Sequence, residues 1–311
     1  MLPTPCEASP QSGPRQLSRN ASSVAEDIEL GESTPAALPA AVFKRGRGVR
    51  QTVGVVLPPL VVAAIVLGAW YLASYVVLDA QRRFLLPPPH EVVSEGFFDR
   101  TARSEILEAT LETAKVAVMG LVIASGLGIA IAVAMSQGRW IERSLFPWAV
   151  VLQTVPILAI VPLIGFWWGF DFRSRVLVCV LISLFPMITS TLFGLRSPAQ
   201  GLHDVFSLRH ASRWTRLRKL QFPSALPAIF VGLQTCAGLS VIGAIVGDFF
   251  FRQGTPGIGR LIDNYRAQLA SEELFAAIAA SSVLGVAAFW LVGLIGERVV
   301  GSWHETGRHR Q

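Results

Sequence analysis

Six long runs without any Asp, Glu, Lys or Arg dominate this sequence and limit the folds that it can adopt. Each run has about 20 residues or more, the length that crosses the roughly 30 Å hydrocarbon core of a membrane as an α-helix. Backbone polar groups in lipid must be satisfied within the chain, so helices are the expected form. We predict an all-α membrane protein with six transmembrane helices, at Thr52–Leu78, Val116–Met135, Ser144–Phe170, Val176–Leu195, Phe222–Gly247 and Leu274–Gly296.

The composition agrees with a membrane protein. Hydrophobic residues make up 52% of the chain and charged residues 15%, whereas a soluble domain has about 25% charged residues. The net charge of +6 comes from cations that lie between apolar runs, and a nucleic-acid-binding protein would need a basic face on a water-soluble fold. The three cysteines, Cys6, Cys179 and Cys236, have no metal-ligand spacing, so we interpret them as packing residues.

The chain divides into three parts. Residues 1–50 are rich in Pro, Ser, Ala and Glu, which predicts a disordered cytoplasmic tail. Residues 51–303 form the membrane domain, and residues 304–311 form a short cytoplasmic tail. Six spans place both termini on one side, and that side carries seventeen of the 27 Lys and Arg residues. Cytoplasmic loops are enriched in these residues, so both termini are predicted to face the cytoplasm.

Two of the predicted spans contain residues that bend helices or bring them close together. The third span carries Pro147, Pro156 and Pro162, and each proline removes a backbone donor and bends or breaks a helix. The fifth span carries Gly243 and Gly247, a GxxxG spacing that lets helices approach closely. Together these features are more typical of a helix bundle that changes conformation than of a static membrane anchor.

The most cationic segment, Arg209–Lys219, lies between the fourth and fifth spans and has five cations in eleven residues. Arg209, Arg213 and Arg216 have the spacing of one helix face, and Pro223 is expected to end the helix before the fifth span. One interpretation is a loop that only sets the orientation in the membrane. A protein-binding surface is favoured by ordered apolar residues, which we expect on the rest of the helix surface: Val205, Leu208, Trp214, Leu217 and Leu220.

This loop resembles the cytoplasmic signature of permease subunits of ABC importers. That signature reads Glu-Ala-Ala, three residues, Gly, nine residues, Ile, one residue, Leu-Pro. Here Asp204-Val205-Phe206 stand at the Glu-Ala-Ala positions, His210 at the glycine, Leu220 at the isoleucine and Phe222-Pro223 at the Leu-Pro. The spacing is kept, and Ala211-Ser212-Arg213-Trp214 is similar to the run that follows the glycine in the family.

Other segments resemble the nitrate, sulfonate and taurine branch of this family. Phe84–Val92 is similar to the Leu-Pro-x-Pro-x-x-Val segment that follows the first span in that branch. Thr154-Val155-Pro156, Trp168-Gly169-Phe170, Phe185-Pro186 and Gly194–Ser197 follow the same order as in those permeases. The resemblance covers about residues 52–303.

The resemblance implies a permease subunit of an ATP-driven, binding-protein-dependent ABC importer in the plasma membrane of a prokaryote. The loop would form a coupling helix that contacts a cytoplasmic ABC ATPase through Asp204, Val205, Phe206, His210, Ala211, Ser212, Arg213, Trp214, Leu220 and Pro223. The other partners implied are an extracytoplasmic solute-binding protein, membrane lipid, and a second permease copy or a sister subunit. The sequence has no phosphate-binding Gly-x-x-x-x-Gly-Lys-Ser/Thr loop, so ATP and Mg²⁺ are expected on the ATPase and this subunit is expected to be non-catalytic.

Three polar residues in or beside the spans are candidates for the solute path: Gln153, Thr154 and Asp248. An acid beside a membrane span is a functional hypothesis by default, and Asp248→Asn would then slow uptake without lowering assembly. The alternatives are structural. Asp248 can pair with Arg252 four residues later, and Gln153 can hydrogen-bond to another helix.

The solute itself stays open between two groups. The family branch implies nitrate, an alkylsulfonate or taurine, and the alternative is a vitamin precursor such as a thiamine pyrimidine, or riboflavin. The spans supply no cation for a purely anionic solute, which favours neutral or aromatic solutes. An ATPase-independent channel is the alternative of another class. An intramembrane enzyme would need polar catalytic residues deep in several spans, and the spans have almost none.

Overall fold

The structure, a computed structural model, describes residues 49–300. The predicted tails, and with them Cys6, lie outside these residues. The chain separates into two compact units at Val61 and Val62. Of the first unit, the described part is the N-terminal stretch of one helix. The second unit contains the rest of that helix and every later element.

Eleven α-helices are described, and we number them in chain order: α1 Val49–Leu72, α2 Pro89–Val93, α3 Arg100–Ser136, α4 Arg139–Thr154, α5 Ile157–Trp168, α6 Phe172–Leu195, α7 Gln200–Leu208, α8 Arg213–Arg216, α9 Phe222–Phe250, α10 Ile258–Gln268 and α11 Ser271–Val300. A 3₁₀-helix covers Ala80–Leu85. Single π-helical turns cover Ala73–Val77, Ser94–Phe98 and Leu217–Gln221. Residues 49–300 contain no β-strand, so the all-α fold is confirmed.

Five helical segments are long and apolar enough to cross a membrane, and α4 with α5 would be the sixth if they count as one bent span. The five are Leu57–Val77, α3, α6, Arg213–Phe250 and α11. The axes of α4 and α5 differ by 97° at the break between Thr154 and Ile157. The proline-rich third span was predicted to bend or break, and it does.

Helix α3 begins sixteen residues before the predicted span, at Arg100 instead of Val116. The side chain of Asp99 caps it by accepting hydrogen bonds from the backbone N–H groups of Thr101 and Ala102. A cap of this kind satisfies donors that have no partner within the helix. The predicted start was wrong because a charge-free run marks the lipid-soluble part of a helix, whereas capping decides where the helix begins.

The two helices α6 and α9 run antiparallel and pack closely through glycine. A Cβ added to Gly243 would lie 2.9 Å from the Cα atom of Cys179, and one added to Gly247 would lie 3.3 Å from the Cα atom of Arg175. The two glycines of the GxxxG spacing therefore each face one residue of α6, and those two residues are also four positions apart. Cys179 and Cys236 are free and buried, which confirms their interpretation as packing residues.

Contacts along the helices define two ends of the bundle. At the Asp248 end, α6 begins, α9 ends, and the backbone N–H of Gln253 donates to the carbonyl of Phe170 just after α5. At the α7–α8 end, α6 ends, α9 begins, and Glu142 of α4 forms an ion pair with Arg196. The bent pair of α4 and α5 thus connects the two ends of the bundle.

Candidate functional site

The segment between α6 and α9 folds as two short helices joined by a tight turn. Helix α7 ends at Leu208, and α8 begins after Ser212, whose hydroxyl accepts a hydrogen bond from the backbone N–H of Thr215. The turn separates Arg209 from Arg213. The prediction that three arginines share one continuous helix face is therefore wrong.

His210 has a φ of +50°, the left-handed region that favours glycine. Its N–H donates to the carbonyl of Ser207 at 2.9 Å, and the N–H of Ala211 donates to the carbonyl of Phe206 at 3.0 Å. These two bonds form a Schellman motif, in which a left-handed residue ends a helix. His210 occupies the position of the family's glycine and adopts the conformation for which glycine is suited, at a cost of roughly 1–2 kcal/mol.

The loop presents both polar and apolar side chains to its surroundings. Asp204 is exposed, as are Val205, Leu208 and Trp214, the last two at 81% and 68%. Arg216 ties the two helices together by donating to the hydroxyl of Ser207 at 3.0 Å. Exposed apolar and aromatic side chains beside charges are typical of a protein-binding surface.

Two apolar residues of the loop point inward. Leu217 and Leu220 are 5% and 8% exposed, and Leu217 belongs to a core cluster with Leu195 and Ala225. The expectation that both lie on the surface was wrong because the π-helical turn that contains them faces the bundle. They anchor the loop to the helices on either side.

The loop continues into the next span without a helix break. Pro223 lies where the π-helical turn Leu217–Gln221 meets α9, and its missing N–H removes one backbone donor at that junction. The helical segment nevertheless runs from Arg213 to Phe250. The prediction that Pro223 ends the helix is therefore wrong, and α8 is continuous with α9.

The break between α4 and α5 exposes two of the polar residues predicted for the solute path. Gln153 and Thr154 are the last residues of α4 and both are exposed. Thr154 donates its hydroxyl proton to the carbonyl of Val151 at 2.9 Å. Pro156 has no N–H to donate to the carbonyl of Leu152, four residues earlier. Polar backbone and side-chain groups therefore come together at this break.

Asp248, the third predicted path residue, lies in a buried cluster at the opposite end of α9 from the loop. Its carboxylate accepts a hydrogen bond from Arg175 Nη1 at 2.8 Å and one from Thr113 Oγ1 at 2.9 Å. Arg252, the partner expected from its spacing, donates to Asp263 instead. Asp248 is therefore held by α3 and α6, and it does not share a site with Gln153 and Thr154.

The same cluster fixes the segment before α10. Arg175 Nη1 also donates to the carbonyl of Thr255 at 3.2 Å, and the backbone N–H of Ile258 donates to Thr113 Oγ1 at 2.8 Å. Gly257 packs so closely that an added Cβ would overlap Asp248 Oδ2. The sequence analysis did not single out Arg175 or Thr113. A signal was present for Arg175, which directly precedes the fourth predicted span on the side where Asp248 follows the fifth.

The described residues thus form a bundle of long apolar helices with one broken member and two short helices between two spans, the architecture of a helical membrane protein. The chain belongs to the family described as binding-protein-dependent transport system inner membrane component, whose sequence profile matches residues 124–301. Members of this family are the permease subunits of ABC importers, as the sequence resemblance implied.

Several curated relatives match most of this chain. The riboflavin transport system permease protein of Chloroflexus aurantiacus is 31% identical over 228 residues, 73% of this chain and 84% of the relative. The formylaminopyrimidine transport permease protein of Halalkalibacterium halodurans is 30% identical over 224 residues, 71% of this chain and 87% of the relative. A putative aliphatic sulfonates transport permease protein of Escherichia coli is 30% identical over 220 residues, 71% of this chain and 82% of the relative. Permeases named for taurine and nitrate also match.

Proposed function

We propose that the α7–α8 loop of this permease contacts a cytoplasmic ABC ATPase and transmits its motion to the membrane helices. The observation that carries the proposal is the continuous helical connection of an exposed surface to a span: Trp214 is 68% exposed, and the helix that contains it continues to Phe250. A displacement of α8 then moves α9 as one body. Leu217 couples the same motion to the end of α6.

ATP and Mg²⁺ bind to the ATPase, and this chain contributes no catalytic residue to hydrolysis. The complete importer contains two permease subunits, two ATPases and an extracytoplasmic solute-binding protein. The α7–α8 end lies in the cytoplasm of a prokaryotic cell together with both termini. The excess of Lys and Arg on this side supports that orientation.

The solute path runs past the break between α4 and α5, where Gln153 and Thr154 offer uncharged hydrogen-bonding groups. Broken helices at membrane depth are typical of cavities that bind a solute. Asp248 acts on the path indirectly, because its carboxylate is engaged by Arg175 and Thr113. Uncharged polar groups favour a neutral nitrogen heterocycle over nitrate or a sulfonate. Two relatives named for riboflavin and formylaminopyrimidine support this choice.

Co-purification of the ATPase tests the coupling proposal. Trp214→Ala and Asp204→Lys are expected to lower the amount of ATPase that purifies with the permease. The matched control is Trp290→Ala in α11, which also removes an exposed tryptophan and is expected to retain the ATPase. Equal retention by Trp214→Ala and Trp290→Ala would contradict the proposal.

Cysteine labelling tests the orientation. In a Cys6→Ser background, Leu208→Cys places a thiol at an 81% exposed position of the loop. We expect an impermeant maleimide to label it only after the cells are opened. Glu108→Cys, at an exposed position near the Asp248 end, is expected to react in intact cells. Labelling of Leu208→Cys in intact cells would reverse the assigned orientation.

Uptake into vesicles that contain the permease, its ATPase and its binding protein tests the solute class. We expect transport of riboflavin or a pyrimidine, and weaker transport after Gln153→Leu. Transport of taurine or nitrate without transport of a heterocycle would instead favour the anion branch of the family.

A further inference from the structure

A cavity of about 610 Å³ lies at the α7–α8 end, between the start of α4 and the end of α6. Six residues line it: Arg139, Glu142, Arg143, Phe146, Pro147 and Arg196. Five of them belong to α4 and have the spacing of one helix face. The cavity is separate from the α7–α8 loop surface and from the break after Thr154.

The cavity carries an excess of positive charge. Its three arginines and one glutamate give a net charge of +2. Arg196 is paired with Glu142. Arg139 and Arg143 act on the charge of Glu142 from nearby, but within residues 49–300 neither side chain forms a hydrogen bond or an ion pair. Two guanidinium groups, each with several donors, are therefore available to an anion.

The surroundings of the cavity have the character of a membrane surface. Trp140 and Trp148 on the same helix are 79% and 72% exposed. Tryptophan is enriched where a membrane protein crosses from hydrocarbon to headgroups. Phe146 and Pro147 supply the apolar part of the cavity lining. A ligand that fills the cavity would contact cations at one side and apolar side chains at the other.

We propose that this cavity binds the phosphate group of an anionic phospholipid. Guanidinium groups bind phosphate oxygens with paired hydrogen bonds, and basic pockets between membrane helices on the cytoplasmic side bind anionic lipid headgroups. Soluble phosphate has the same anionic chemistry. The apolar wall and the exposed tryptophans favour the lipid, because its acyl chains continue along them. The bound lipid would brace the start of α4 against the end of α6.

Native mass spectrometry of the full chain with added phosphatidylglycerol tests this site. We expect phosphatidylglycerol to bind in preference to phosphatidylcholine. Arg139→Gln/Arg143→Gln is expected to weaken phosphatidylglycerol binding about thirtyfold, from the loss of two cations near a lipid surface. The matched control, Arg100→Gln/Arg103→Gln, removes two exposed arginines at the start of α3 and should leave that binding unchanged. Arg139→Lys/Arg143→Lys keeps both charges but loses the paired hydrogen bonds of the guanidinium groups, so its binding should fall between that of the Gln variant and that of the unaltered protein.

Three outcomes would overturn the proposal. Equal binding of phosphatidylglycerol by the Arg139→Gln/Arg143→Gln variant and the unaltered protein would place the lipid elsewhere. Displacement of the lipid by inorganic phosphate at the concentration at which phosphate alone binds would make this a site for a soluble anion. Loss of the co-purifying ATPase in the Arg139→Gln/Arg143→Gln variant, with lipid binding unchanged, would make it a protein contact.

Discussion

Arg175 Nη1 lies 2.8 Å from Asp248 Oδ1, and the two side chains are 2% and 0% exposed. This ion pair joins the start of α6 to the end of α9. Thr113 of α3 also contacts the pair, because its hydroxyl donates a hydrogen bond to Oδ2 of Asp248. Each buried charge has the other as its partner, while the buried Nε of Arg175 has no partner among the described residues. The pair therefore holds α3, α6 and α9 together at the Asp248 end of the bundle.

Removal of one member of this pair should strongly destabilise the protein. Asp248→Asn leaves Arg175 with an uncompensated buried charge, and we expect a loss of about 3–5 kcal/mol in the free energy of unfolding. Thermal unfolding in detergent measures this loss. Arg252→Gln is the control, because it breaks a pair in which Arg252 is 69% exposed, and its cost should be below about 1 kcal/mol. If Asp248→Asn slows uptake at unchanged stability, Asp248 acts on the solute path directly.

The close approach at Gly257 should not tolerate a methyl group. An added Cβ would overlap Asp248 Oδ2, so Gly257→Ala has to displace either the carboxylate or the segment before α10. We expect it to cost about 1–3 kcal/mol of stability, as other overpacked sites do. Gly126→Ala provides the comparison, since an added Cβ there meets nothing within 4 Å. Equal unfolding temperatures for the two variants would show that the cluster is looser than its geometry indicates.

Glycine at position 210 should relieve strain in the α7–α8 loop. His210 has a φ of +50°, which glycine adopts without steric strain, although glycine loses more backbone entropy on folding. We expect His210→Gly to stabilise the protein by up to about 1 kcal/mol, measured by thermal unfolding, and to retain the ATPase. His203→Gly is the matched control inside α7, where glycine should destabilise by about 1 kcal/mol. A loss of stability in His210→Gly would mean that the imidazole makes a favourable contact that outweighs the strain.

The break in the third span should depend on Pro156. Pro156→Ala returns an N–H that can donate to the carbonyl of Leu152, so we expect α4 and α5 to straighten partly and uptake to fall. Reconstituted transport at matched protein amounts measures the effect. Pro162→Ala changes a proline that α5 already accommodates inside the helix, and its effect should be smaller. Unchanged transport in Pro156→Ala would show that the solute path does not depend on the break between α4 and α5.

Much of the fold was predictable from local properties of the chain. Apolar run length placed the spans, because lipid imposes a minimum length of charge-free helix. Pro156 marked the break between α4 and α5, because proline removes a donor wherever it lies. Helix ends were less predictable. Helix α3 starts at the Asp99 cap far outside its apolar run, and the helix continues through Pro223 after the π-helical turn Leu217–Gln221.

The candidate site was predictable in position but only partly in geometry. The spacing from Asp204 to Pro223 identified the loop, and its family was confirmed. The burial of Leu217 and Leu220 was not predicted, because it depends on a π-helical turn and no residue pattern in the loop indicates such a turn. The partner of Asp248 was missed for a related reason. The i+4 rule finds only neighbours along one helix, whereas Arg175 lies 73 residues away on another.

By itself, the sequence determined that this chain is a helical membrane protein, since hydrophobic run length is a local property, and its loop spacing carried the resemblance to importer permeases. The tertiary structure alone decided which polar groups meet. Gly243 and Gly247 bring α9 against Cys179 and Arg175 of α6, and that approach places the guanidinium of Arg175 beside Asp248. A buried charge pairs with whatever the packing of helices brings within reach, and packing depends on side chains that are far apart in the chain.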